Sequence, residues 1–92
     1  MIKSVMYHKV QDFNTWKNAF DGFADFRKSS GELSFSVGNL KSDPNTAYVI
    51  NSWGSVEKLE AFVSSQELAD AMKSAGVLEP PHTLILNELA AG

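Results

Sequence analysis

The chain has 92 residues, room for one domain and one hydrophobic core. Hydrophobic residues make up 43% and charged residues 21%, a balance that excludes an intrinsically disordered chain. Eight Lys and Arg stand against eleven Asp and Glu, net −3, so no basic face for nucleic acid is supplied, and the lack of cysteine excludes disulfides, zinc–thiolate sites and iron–sulfur clusters.

The opening segment Ile2–Val10 alternates with period two. Ile2, Ser4, Met6, His8 and Val10 fall on one face; Lys3, Val5, Tyr7 and Lys9 fall on the other. That spacing predicts a strand with apolar groups on both sides. Gln11–Asn14 breaks the alternation, and Asp12 or Asn14 can cap a helix by accepting a free backbone N–H. Phe13, Trp16, Phe20 and Phe23 follow at helical steps, so the spacing predicts one helix running to about Ser29 with an aromatic stripe facing the core. Gly31 ends it.

Leu33, Phe35 and Val37 alternate with Ser34, Ser36 and Gly38, a second strand with one small-polar side. Lys41–Asn45 reads as a turn around Pro44. Thr46–Trp53 is a third strand, paired with the second as a hairpin. Ser55 is expected to cap a second helical region. Ser64 and Glu67 have capping-box spacing, which places a restart there, and Gly76 ends the region. After Pro80 and Pro81, residues 82–89 alternate as a final strand.

The predicted fold class is α+β: residues 1–92 form a single ferredoxin-like domain in the order β-α-β-β-α-β, with helices on one face of an antiparallel sheet. A chain this short cannot cover the other sheet face itself. A second copy, packed sheet to sheet as a homodimer, is the expected partner. No apolar run approaches the roughly 18 residues of a membrane span, and MIKSVMYHKV has no signal-peptide core. No membrane or nucleic-acid partner is therefore expected, and a reducing cytoplasm is the default location.

Several residues carry potential chemistry. His8 has a side chain whose pKa lies near working pH, suited to a general base. Asn51 and Trp53, two apart on a strand, share a face. An amide can donate to a developing oxyanion, and an indole can stack on a planar ring. Tyr48 and Tyr7 could donate phenolic hydrogen bonds into a pocket, and Trp16 could roof one between helix and sheet. His82 begins the last strand. The two histidines alone make no metal site, and the chain lacks phosphate-binding glycine loops and a nucleophile elbow. No metal or cofactor is expected.

The stretch Tyr7-His8-Lys9-Val10-Gln11-Asp12-Phe13-Asn14-Thr15-Trp16-Lys17 resembles the strand-to-helix opening of small bacterial proteins similar to the antibiotic biosynthesis monooxygenases. The turn Asp43-Pro44-Asn45, the segment Ala61–Leu68, and Met72 with Ala75-Gly76-Val77 are similar to the same family, so the resemblance covers nearly the whole chain. It implies the dimeric α/β-barrel fold. It also implies cofactor-free oxygenase chemistry, in which an Asn and a Trp hold an aromatic, polyketide-like substrate while its carbanion meets oxygen. On that basis Asn51 and Trp53 would be catalytic; with His8 as a catalytic base and Tyr48 and Trp16 as ligand-binding residues, they would line one site per subunit, between helices and sheet or near the sheet interface. Haem-degrading relatives use a histidine in the second helical region, and residues 55–76 contain none. The oxygenase pattern places an Asn on the first strand, where this chain has Met6, Tyr7 and His8. A non-catalytic dimeric interaction module with no dedicated ligand is the other reading of the same composition.

Overall fold

The alternation of the first strand becomes the centre of a four-stranded antiparallel sheet. In the computed structural model, which describes residues 1–92, β1 spans Ile2–Lys9, β2 Glu32–Leu40, β3 Asp43–Trp53 and β4 His82–Asn87. The strands lie in the order β2-β3-β1-β4. Helices α1 (Phe13–Gly22) and α2 (Ala24–Ser29) precede β2; α3 (Val56–Val63) and α4 (Gln66–Ser74) precede β4. This is the expected ferredoxin-like arrangement, with each helical region split in two.

The first split corrects the single helix expected to Ser29. Phe23 has left the helical region of backbone space at φ −95° and ψ 6°, next to Gly22, which has no side chain to hold the turn. α2 then restarts at Ala24. Asp12 is the cap of α1: its carboxylate accepts from the Thr15 backbone N–H and from the Thr15 hydroxyl, both at 2.9 Å. These two bonds lower the Asp12 pKa, the backbone bond more strongly.

The second split also differs in detail. Ser65, not Ser64, caps α4 and accepts from Leu68 N at 3.2 Å. The Ser64 hydroxyl donates back to Glu60 O at 2.8 Å, closing α3. The β2–β3 turn is shorter than Lys41–Asn45: Leu40 pairs with Asp43, so only Lys41 and Ser42 turn. Pro44 sits within β3 beside an irregularity in the ladder, where its missing N–H is harmless. Asn45 ties this corner to the rest of the fold. Its main-chain oxygen accepts from Val10 N at 2.8 Å, and its side chain accepts from Phe13 N at 3.2 Å.

Register decides which side chains share a face. β1 pairs with β3 as Ser4–Asn51, Met6–Val49 and His8–Ala47. Directly opposed residues of an antiparallel pair project to the same side, so these six face the helices. The core there forms two clusters, one around Met6, Trp53, Leu59, Phe62 and Leu68, the other around Val10, Trp16, Ala47, Val49 and Ala75. The aromatic stripe of α1 covers this core without disappearing into it: only Trp16 is buried, while Phe13 and Phe20 are half-buried, as is Phe23 at the break.

The opposite face pairs Val5 with Ile50 and Leu84, Tyr7 with Tyr48 and His82, and Lys3 with Leu86. No helix covers it. Leu84 is 56% exposed and Leu86 42%. No helix of the chain is long and apolar enough to cross a membrane.

Candidate functional site

Between the sheet and the helices lies a partly open cavity of about 60 Å³, eleven of whose fourteen lining residues are hydrophobic. The sheet supplies Met6, His8, Val49 and Asn51. α1, the break after it and α2 supply Trp16, Phe20, Phe23 and Arg27, and Met72 comes from α4. Ligand sites are usually of this kind, apolar with a few placed polar groups.

His8 is the most unusual of those groups. It is 5% exposed, and its Nδ1 is buried with no hydrogen-bond partner. Leaving such an atom unmade costs about 1–3 kcal/mol. The ring meets Trp16 edge-on, centroids 5.8 Å apart and planes at 82°. Burial pushes the His8 pKa below its ordinary 6.5; nearby Glu79 pulls it partly back, and His82 pushes it down further. The imidazole is therefore neutral at pH 7, able to accept a proton or a hydrogen bond.

Asn51 lines the same cavity, held at the centre of a buried run of hydrogen bonds. Trp53 Nε1 donates to Ser4 Oγ at 3.0 Å; Ser4 Oγ donates to Asn51 Oδ1 at 3.2 Å; Asn51 Nδ2 donates to Glu32 Oε2 at 2.6 Å. Glu32 accepts in turn from Arg27 Nε, at 3.2 and 3.1 Å to its two oxygens, and Arg27 Nη1 donates to Phe20 O. All five side chains belong to buried residues. This run orders both oxygens of Glu32 and fixes which end of the Asn51 amide points toward Glu32.

The sequence candidates therefore separate. His8, Asn51 and Trp16 meet at one cavity. His8 and Asn51 stand at different places along it, because Asn51 opposes Ser4, four residues along β1 from His8, or about 13 Å of strand. Trp53 shares Asn51's face as expected but does not line the cavity; it packs among Leu59 and Phe62 and donates its N–H to Ser4. Tyr48 is on the opposite face of the sheet, against Tyr7 and Gly38, and does not line this cavity. His82 stacks on Tyr7 at 4.7 Å on that same outer face.

Sequence reasoning missed Ser4, Arg27 and Glu32. Arg27 and Glu32 are five residues apart across the α2–β2 turn, and an Arg at a stripe position followed by a Glu opening a strand was the available signal. Their side chains are each 4% exposed, so the pair is wholly internal.

No protein-family model and no curated protein sequence matches the chain. Solved structures do. A Bordetella bronchiseptica protein described as a candidate antibiotic biosynthesis monooxygenase superposes with a TM-score of 0.81 at 14% identity, covering 97% of each chain. SnoaB of Streptomyces nogalater, described as a cofactor-independent oxygenase, gives 0.78 at 11% identity, over 98% of this chain and 94% of that one. A Caulobacter crescentus protein described like the first gives 0.75 at 17% identity, over 97% and 90%. The chain has the fold of antibiotic biosynthesis monooxygenase-like proteins.

Proposed function

We propose that the protein is a homodimer that binds one small, flat, largely apolar ligand per subunit in the cavity between helices and sheet. His8 Nδ1 accepts the ligand's hydroxyl, Trp16 and Asn51 bound the ligand, and Trp53 supports Asn51 through Ser4. The carrying observation is the buried, unpartnered Nδ1 of a neutral imidazole whose residue lines a largely apolar cavity. A ligand hydroxyl there recovers a hydrogen bond that the empty fold forgoes.

The cavity is narrow. A dry apolar cavity that holds benzene is roughly 150 Å³, against about 60 Å³ here. An aromatic ligand must displace wall side chains, and Met6, Met72 and Phe23 at the break between α1 and α2 are the adaptable ones. Dimerisation is supported by the uncovered sheet face, where Val5, Tyr7, Tyr48, Ile50, Leu84 and Leu86 present an apolar surface that this chain leaves open. The shared fold with SnoaB gives the reading a chemical direction. A neutral imidazole taking the proton of a phenolic ligand would leave an electron-rich anion for dioxygen, without a cofactor.

The test is calorimetric titration of the protein with para-butylphenol, followed by the same titration of a His8→Leu variant. Binding that disappears with His8 supports the reading. Equal binding by both proteins, or none by either, leaves the non-catalytic dimeric module as the better description. An oxygen electrode on the bound complex then separates binding from oxygenation.

A further inference from the structure

The geometry points to the buried Arg27–Glu32 pair as a selector that admits a neutral carbonyl at its end of the cavity and refuses a carboxylate. This rests on the small-ligand reading above and names the chemistry of the ligand's second end.

A guanidinium has five N–H donors in one plane. In Arg27 the Nε–H is spent on Glu32 and one Nη1–H on the carbonyl oxygen of Phe20, while Nη2 makes no hydrogen bond within the chain. The Phe20 ring stacks on the guanidinium, its centroid 3.6 Å from the central carbon; the Phe35 ring, 5.1 Å from that carbon, lies edge-on to Phe20 with centroids 5.3 Å apart, so the two rings flank the group from neighbouring directions. The remaining donors lie in the plane of the guanidinium, as all its N–H groups do, and Arg27 lines the cavity. An acceptor atom approaching in that plane is what the site can bind.

Charge decides which acceptor. Glu32 lies 3.1 Å from Arg27 Nε and is held by Asn51 Nδ2 at 2.6 Å, so the cation is already matched where it is buried. A ligand carboxylate would bring an unmatched negative charge into a low-dielectric site beside Glu32, and such a charge is strongly disfavoured. A ketone oxygen accepts from Nη2 and adds no net charge. With His8 serving the other region of the cavity, the ligand is a rod with a hydroxyl at one end and a neutral carbonyl at the other. An unmatched arginine would prefer the opposite partner, so Glu32 sets the selectivity.

Three matched probes test this by calorimetry: para-hydroxybenzylideneacetone, its carboxylate counterpart para-hydroxycinnamate, and para-butylphenol, which has no oxygen at that end. The chain has no cysteine for the enone to trap. The wild-type protein should bind the ketone about tenfold more tightly than para-butylphenol, and more tightly still than the cinnamate. In Glu32→Gln, which keeps an acceptor for Arg27 and Asn51 but unmatches the cation, the cinnamate should gain on the ketone by at least about tenfold. A wild-type preference for the cinnamate overturns the proposal, as does an unchanged order in Glu32→Gln. If Glu32→Gln does not fold, the Arg27→Met, Glu32→Gln double variant replaces it. There the ketone should fall to the level of para-butylphenol, and a ketone advantage that survives overturns the proposal. If para-butylphenol binds the wild type without any ketone advantage, this proposal alone fails; if none of the three binds, it fails together with the ligand-site reading.

Discussion

Trp53 and Ser4 are joined across the β1–β3 pair by an indole N–H donated to Oγ at 3.0 Å, forty-nine residues apart in the chain. The bond makes Trp53 part of the support beneath Asn51 and keeps its ring in the core. Trp53→Phe should therefore destabilise the protein by about 2–3 kcal/mol, from lost packing and an unpaired Ser4 oxygen. Chemical denaturation measures that loss. Binding of para-butylphenol should change less than it does on altering His8.

His8→Leu has the opposite signature. Replacing a buried polar atom that has no partner with an apolar group of similar size is neutral or stabilising. The variant should melt at or above the wild-type temperature while losing the ligand. A loss of several degrees would mean that His8 holds the fold together and that its Nδ1 is satisfied in solution.

The lowered His8 pKa fixes the direction of a pH effect. Unfolded, the side chain titrates near its ordinary 6.5; folded, burial keeps it neutral to lower pH. As pH falls through 6.5 the unfolded state takes up a proton that the folded state resists, so stability declines from there down to the folded pKa. This contribution is fully present above 6.5. Melting temperatures of wild type and His8→Leu, compared between pH 5 and pH 8, should diverge only on the acid side. Parallel curves would contradict the burial of the imidazole.

The open sheet face predicts concentration-dependent assembly. Leu84 is 56% exposed in the single subunit, so Leu84→Asp should leave folding intact. In an isologous interface the substitution enters twice. The dimer dissociation constant should rise on the order of 100-fold, about 1.4 kcal/mol per copy. Sedimentation equilibrium of the wild type provides the reference, and a wild type that is monomeric at micromolar concentration removes the dimer altogether.

Gly22 sits at the end of α1, where an added Cβ would meet nothing within 4 Å and no positive φ is required. Gly22→Ala should stabilise the chain by about 0.5–1 kcal/mol, through helix propensity and a less flexible unfolded state. Gly38→Ala should do the reverse, because its Cβ would fall 2.8 Å from the Tyr48 ring. A pair of thermal melts decides both.

The strands and the cap at Ser55 were legible because each depends on near neighbours in sequence, and the first cap was narrowed to Asp12 or Asn14, of which the structure uses Asp12. Period two places Ser4, Met6 and His8 on one side of β1 whatever the rest of the chain does. The helix break at Phe23 was not legible, since a glycine inside an aromatic stripe fits a continuous helix equally well. The cap at Ser65 was ambiguous for a similar reason: two adjacent serines offer the same hydroxyl, and packing of Leu68 decides between them. Parity separates Tyr48 from Asn51, three positions along the same strand, and places it on the sheet face away from the cavity. The Arg27–Glu32–Asn51 connection needs the β2–β3 register, which local pattern does not contain. His8 was recognisable as a candidate, but its unpaired Nδ1 is a property of everything packed around it.

Asn45 receives two amide hydrogens from the segment that leaves β1 and enters α1, those of Val10 and Phe13. Both are shielded from deuterium only while the turn end of the β2–β3 hairpin stays seated. Their exchange rates should rise and fall together, and since His8 lies two residues before Val10, that pair of resonances would report on how often this corner of the molecule breathes.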